Sequence, residues 1–161
     1  MPPKTVIAAR TGGLAADPRA VPALLDQLKD QNSLVRQEAI VALGYQADAR
    51  AVEPLIAALR DGTPDVRAQA AKALARFRDV RAVEPLILLL KDRSALARRY
   101  AAETLGELGD KRAVELLIKA LRDEDPEVSS CAEKALRKLG LKTPFDESRA
   151  WRLSHYGHVL K

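Results

Sequence analysis

The sequence predicts an all-α protein, a solenoid of four stacked helical hairpins. Three observations predict it. A phrase recurs every 31 residues: "DPRAVPALLDQLKD" from Asp17, "DARAVEPLIAALRD" from Asp48, "DVRAVEPLILLLKD" from Asp79 and "DKRAVELLIKALRD" from Asp110. No gap interrupts the period, and a strict period of about 20–50 residues marks a stacked repeat architecture. Apolar residues in each phrase fall at i, i+3, i+4 and i+7, the spacing of one helical face.

The units are 17–47, 48–78, 79–109 and 110–140, followed by an extension over 141–161. The whole of 1–161 is expected to form one domain. Each phrase is the first helix of a hairpin. In unit two its apolar face is Val52, Leu55, Ile56 and Leu59. The leading Asp is an N-cap residue, because its carboxylate can accept from free backbone N–H groups. In unit one Pro18 follows it, where a missing N–H costs nothing.

A second helix begins 15 residues after the first. The sixteenth position holds Asn32, Thr63, Ser94 and Asp125, four different residues that are all N-cap types. Pro64 and Pro126 follow two of them. The apolar face is Val35, Ala39, Ile40 and Leu43 in unit one, and Val66, Ala70, Ala71 and Leu74 in unit two. One hairpin cannot bury both of its apolar sides alone, so the units must stack.

Two register positions separate the last unit from the rest. Ile40, Ala71 and Ala102 share a slot that becomes Glu133, and Arg36, Arg67 and Arg98 share one that becomes Ser129. A polar outer face suits a terminal unit, and Glu133 is expected to be partly exposed. The three arginines lie near the turn aspartates Asp30, Asp61, Asp92 and Asp123. A ladder of Arg–Asp hydrogen bonds between adjacent units is expected.

The ends depart from the repeat. Residues 1–16 read as a partial N-terminal cap, with Ala8 and Ala9 in the slots of Ala39 and Ile40 and with Gly12 and Gly13 breaking it early. The tail predicts a helix over 144–156, opened by Thr143–Pro144 and closed by Gly157. It carries Trp151, with Phe145, Leu153 and Tyr156 nearby. These aromatics either dock on the last unit or bind a partner.

Apolar residues make up 47% of the chain and charged ones 30%, which excludes a disordered polymer. A single cysteine, Cys131, cannot close an internal disulfide and suits a reducing compartment. No apolar run reaches spanning length, and the first residues lack the long apolar centre of a secretory signal. A cytoplasmic location is expected, with no membrane partner. The net charge of +5 sits mostly at the ends: residues 1–16 and 141–161 carry +2 each, and the units carry −1, +2, 0 and 0. That is a mixed, solvated surface and not a phosphate-binding stripe.

The unit "DVRAVEPLILLLKDRSALARRYAAETLGELG" resembles the HEAT-like repeats of phycobilin lyase subunits and many bacterial and archaeal proteins. The resemblance covers residues 17–140. It implies first helices on the convex side and second helices on the concave side, where partners bind. Carried onto this chain, it makes Gln37, Glu38, Val41, Tyr45, Ala68, Gln69, Lys72, Arg76, Arg99, Tyr100, Glu103, Glu107, Ser130, Cys131, Lys134 and Lys138 the candidate surface. These residues vary from unit to unit while the core slots do not. Tyr45 and Tyr100 are the best anchors, since Tyr and Arg are enriched at binding hot spots.

Deoxyhypusine hydroxylase looks similar, and the resemblance implies two irons held by His-Glu pairs on second helices. The matching positions here are Gln37–Glu38, Ala68–Gln69, Arg99–Tyr100 and Ser130–Cys131. Only Glu38 matches, so that chemistry is not expected. The two histidines, His155 and His158, straddle Gly157 without a carboxylate or thiolate at ligand spacing. Lys134, one turn from Cys131, favours a thiolate there, although a small surface residue is the simpler reading. No phosphate loop or nucleophile–base arrangement is present.

The expectation is therefore a non-enzymatic scaffold that needs no cofactor and binds another protein on its concave face. One alternative is a subunit of a bilin-binding complex like the phycobilin lyases, with a bilin-carrying protein as partner and Tyr45, Arg76, Arg99 and Tyr100 as contacts. A second is nucleic-acid binding through a groove that is only mildly basic and so argues weakly for it.

Overall fold

The structure, a computed structural model, describes residues 17–141. Among them lie eight α-helices: α1 (Val21–Gln27), α2 (Ser33–Gln46), α3 (Val52–Ala58), α4 (Pro64–Leu74), α5 (Val83–Leu89), α6 (Ala95–Leu108), α7 (Val114–Ala120) and α8 (Pro126–Lys138). No strand occurs among the described residues. The odd-numbered helices are the first helices of the four hairpins and the even-numbered ones the second. The partial cap at 1–16 and the helix over 144–156 lie outside the described residues.

The leading aspartates cap something shorter than expected. Each opens a single 3₁₀ turn, and an α-helix of seven residues follows, starting at the Val of the phrase. The Asp48 carboxylate accepts from the backbone N–H of Arg50 at 2.9 Å, and the Arg50 guanidinium folds back onto the same carboxylate. Asp17, Asp79 and Asp110 do the same with Arg19, Arg81 and Arg112. The Asp-x-Arg spacing is therefore a closed pincer. It holds the carboxyls of Asp48 and Asp79 down at about 2, chiefly through the guanidinium hydrogen bonds. Arg81 also reaches Glu53 of the preceding unit at 2.7 Å, and Arg112 reaches Glu84 at 3.2 Å.

The expected Arg–Asp ladder is present and runs forward along the chain. Arg36, Arg67 and Arg98 each grip both carboxylate oxygens of the next unit's turn aspartate, at 2.8–2.9 Å. The partners are Asp61, Asp92 and Asp123. The third guanidinium nitrogen donates to a carbonyl of its own unit's turn, that of Asp30, Asp61 or Asp92. The same carboxylates accept the backbone N–H of Thr63, Ser94 and Asp125. One aspartate thus shapes its own turn and clamps the unit before it. In unit two this replaces the expected cap: the Thr63 hydroxyl makes no cap bond and accepts from Arg36 instead.

The core follows the repeat. Leu24, Leu55, Leu86 and Leu117 occupy one register position and are fully buried. Leu43, Leu74, Leu105 and Leu136 form a second buried column. Burying each such side chain stabilises by about 1.5–3 kcal/mol. Consecutive second helices pack directly on one another, α2 on α4, α4 on α6 and α6 on α8, whereas first helices meet their neighbours mainly through the turns. The residue sizes explain this. Second helices meet through alanines such as Ala39, Ala42, Ala70, Ala71, Ala101, Ala102, Ala132 and Ala135, and first helices carry Leu, Val and Ile. Each hairpin is a wedge with its thin edge at the second helix, so the stack bends toward that side.

Every second helix is left by a residue in the left-handed region: Ala47 at φ 52°, Arg78 at φ 50°, Gly109 at φ 70° and Gly140 at φ 82°. Glycine adopts this conformation at least cost, and units one and two adopt it without glycine. Glu133 is half-buried and pairs with Arg137 at 2.7 Å, in keeping with its place in the last unit. No helix among the described residues is long and apolar enough to cross a membrane.

The ladder makes stability depend on acid. Burial raises the carboxyls of Asp61, Asp92 and Asp123, and the arginine and backbone hydrogen bonds outweigh it, so all three sit below their ordinary value. A depressed carboxyl contributes stability above its unfolded pKa of about 3.9 and loses it as pH falls through the folded value. Arg67 and Asp92 are only 15% and 13% exposed. Arg67→Met should therefore cost about 2–3 kcal/mol at pH 7, between the values for exposed and fully buried pairs. Urea unfolding at pH 7 and at pH 2 checks it. The gap between variant and wild type narrows as pH falls, because Asp92 loses charge as the pH drops through its depressed folded value.

Candidate binding face

The second helices place four columns of side chains on the inner side of the stack. Residues 31 apart come into line across neighbouring helices, so Tyr45, Arg76, Glu107 and Lys138 form one column and Val41, Lys72, Glu103 and Lys134 the next. Glu38, Gln69, Tyr100 and Cys131 form a third. The fourth column is Gln37, Ala68, Arg99 and Ser130, and it corrects the expected surface at one point. Ala68 is fully buried, because the unit-to-unit contact of α4 takes that position.

The aromatic rings are already covered by cations. The Arg76 guanidinium lies 4.5 Å from the centre of the Tyr45 ring, across the gap between α2 and α4. Tyr100 has Lys72 of the preceding unit at 5.3 Å and Arg99 of its own helix at 4.7 Å. Each such contact contributes about 0.5–1 kcal/mol at an exposed site and holds the long cationic side chain in place. Tyr45 remains half exposed, while Tyr100 is half-buried. Gln37, Glu38, Val41 and Gln69 are half-buried, and Lys72, Arg76, Glu103, Lys134 and Lys138 are exposed.

Ion pairs continue the pattern toward the last unit. Lys138 pairs with Glu107, and Arg99 pairs with Glu127. Glu107 is thereby held below the ordinary Glu range, mainly by its hydrogen bond from Lys138. Cys131 is not activated. Burial and the neighbouring Glu103 push its thiol up, and Lys134 does not offset them.

Clefts lie along this face among the described residues. A small one is lined by Val41, Gly44, Tyr45, Gln69, Lys72, Ala73 and Arg76. One of about 300 Å³ lies among Lys72, Arg76, Tyr100, Glu103, Thr104 and Glu107. The largest, about 800 Å³, is bordered by Arg99, Glu103, Glu127, Cys131, Lys134 and Lys138. No group of three or more His, Cys, Asp or Glu side chains that could hold a metal ion is assembled among the described residues.

The floor of the face depends on residues that the sequence reading passed over. A Cβ on Gly106 would stand 2.8 Å from the Ala135 Cα and 2.9 Å from its Cβ, so α6 and α8 approach closely only because residue 106 has no side chain. Gly44 faces Ala73 in the same way, with 3.2 Å for the added Cβ. The Thr104 hydroxyl, fully buried, donates to the Ala71 carbonyl of α4 at 2.8 Å and ties units two and three together. Its signal was available: Thr104 stands in a slot filled by Ala42, Ala73 and Ala135 elsewhere.

A bent stack of helical hairpins, with fixed core slots and varied inner side chains, defines a helical-repeat solenoid. The family model for HEAT repeats matches residues 7–75, 21–94 and 83–147, and the chain belongs to the HEAT-repeat family. The phycocyanin lyase complex of CpcE and CpcF from Nostoc is similar in structure, with a TM-score of 0.68 and 28% identity over 74% of this chain. The chain spans only 53% of that subunit. An engineered protein matches with a TM-score of 0.67 and 25% identity, over 95% of this chain and 78% of its own. Human deoxyhypusine hydroxylase matches with a TM-score of 0.66 and 25% identity, over 78% of this chain and 45% of its own. No curated protein sequence matches the chain.

The close approach of α6 and α8 can be tested directly. In an open helix Gly→Ala stabilises by up to about 1 kcal/mol. Gly106→Ala should instead destabilise by about 1–3 kcal/mol, the usual cost of overpacking, while Gly44→Ala stays near neutral. Thermal unfolding of the two variants beside wild type measures the difference.

Proposed function

We propose that this HEAT-repeat protein is a non-enzymatic scaffold that binds another protein on its second-helix face. The observation that carries this is the set of pre-ordered anchors, Tyr45 beneath Arg76 and Tyr100 between Lys72 and Arg99. Held side chains lose little entropy when a partner arrives, so more of the contact energy appears as affinity. The face also varies from unit to unit on a frame that does not, as a specific binding surface requires. Gln37, Glu38, Val41, Gln69, Glu103, Glu107, Lys134 and Lys138 complete the proposed surface. The single cysteine, half-buried and without a partner for an internal disulfide, supports a reducing, cytoplasmic setting.

Nucleic acid has less support as the partner. Glu103 and Glu107 break the run of lysines and arginines, and a phosphate backbone is best met by an unbroken positive stripe. Affinity capture from native lysate tests the main reading. Wild-type protein should retain a partner that Tyr45→Ala/Tyr100→Ala loses by about ten-fold or more, the scale of two hot-spot residues. Retention of every partner by the double variant would refute the surface assignment.

A second reading is favoured by the likeness to the phycocyanin lyase complex. In it, the chain is one subunit of a bilin-handling pair, with the tyrosines and arginines of the face holding the pigment or the protein that carries it. Co-expression with a bilin should then give purified protein with a visible absorbance band, and its absence after co-expression with candidate second subunits counts against this reading.

A further inference from the structure

The charges of the second-helix face are arranged in bands. Lys72 on α4 and Arg76 in the turn just past its end stand four residues apart, as do Glu103 and Glu107 on α6 and Lys134 and Lys138 on α8. Each pair occupies the same two register positions, so the sign alternates positive, negative, positive from unit two to unit four. The first two bands meet in the cleft of about 300 Å³, and Glu103, Lys134 and Lys138 border the cleft of about 800 Å³. Five of the six side chains are exposed and Glu107 is half-buried. The pair between Glu107 and Lys138 lies at the surface, where such pairs exchange partners at small cost.

The general spacing of packed helices suits one ligand conformation better than another. Packed helix axes lie about 8–10 Å apart. A polyproline II chain turns once in three residues and rises about 3.1 Å per residue, so every third side chain returns to one face after about 9 Å. A β-strand returns a side chain to one face after about 7 Å and falls out of step within two bands. We infer that this face takes an extended peptide in the polyproline II conformation, with the pattern acid-x-x-base-x-x-acid lying across α4, α6 and α8. The acidic residues meet Lys72 and Arg76 at one end and Lys134 and Lys138 at the other, and the base meets Glu103 and Glu107. The Tyr100 ring beside the first band holds Lys72 in place for the acidic residue it meets. This inference rests on the reading of the face as a partner-binding site and adds the chemistry of the partner.

The test is an NMR titration of the full chain at low salt with three peptides. Glu-Pro-Pro-Lys-Pro-Pro-Glu should bind about ten-fold more tightly than the inverted Lys-Pro-Pro-Glu-Pro-Pro-Lys or the strand-spaced Glu-Thr-Lys-Thr-Glu, and the advantage should shrink at high salt. In Glu103→Lys/Glu107→Lys the preference should shift to Glu-Pro-Pro-Glu-Pro-Pro-Glu. Equal binding of the three peptides by wild type overturns the inference, and so does an unchanged preference in the charge-swapped variant. If that variant does not fold, the wild-type comparison alone decides. A salt-sensitive dimer that excludes the peptides would mean that a second copy covers the face, and also overturns it. Loss of peptide discrimination alongside tyrosine-dependent capture from lysate removes only the charge register and leaves the partner-binding reading standing.

Discussion

The whole structure depends on a shortage of cover. A hairpin of two short helices has apolar residues on both flat sides, and its own two helices can hide only the seam between them. The first helices, at seven residues each, are below the length at which an isolated helix holds together in water. They exist because their own second helix and the stacked units cover them. Leu55 and Leu86, one repeat apart, are both completely buried in this shared core. Stability in such an array is collective, and each interface contributes to the persistence of its neighbours.

Burial alone does not say how two units are aligned. That is the work of groups that tolerate little displacement. A guanidinium that must reach both oxygens of an aspartate in the next unit and a carbonyl in its own fixes distance and rotation together. The Thr104 hydroxyl on the Ala71 carbonyl does the same inside the stack. Both place polar groups where water is scarce, so a misaligned unit would leave them without partners, at a cost of about 1–3 kcal/mol for each unsatisfied group. The Ala and Gly seam between second helices then sets the bend, because it lets one edge of each wedge close more tightly than the other.

This arrangement leaves the inner face free to vary. Nothing in the core requires position 45 to be a tyrosine or its counterparts to be Arg76, Glu107 and Lys138. Their contacts are with one another, across the helix gaps, through ring faces and exposed charges. Such contacts are individually weak, yet they hold long side chains in place before any partner arrives. A rigid frame with ordered and varied side chains is suited to recognition, and its likeness to both a lyase complex and a hydroxylase shows that one frame is compatible with several functions.

Much of this was legible in the sequence. The period, the two helices per unit, the buried Leu columns, the Arg–Asp ladder and the polar last unit follow from residue type and spacing, because apolar faces and caps are local properties repeated at a constant interval. Other features waited for the fold. The phrase gives no hint that its aspartate caps a 3₁₀ turn and closes a pincer with the arginine two residues on, and Ala68 reads as outward until α4 is seen pressed against its neighbour. Thr63 reads as a cap and serves a guanidinium instead. The alignment of Tyr45 with Arg76, and of Lys72 with Tyr100, is also decided in three dimensions. A chain states which residues share a helix face, whereas the distance at which two faces meet is set by the smallest side chains between them, and that distance exists only once the units are stacked.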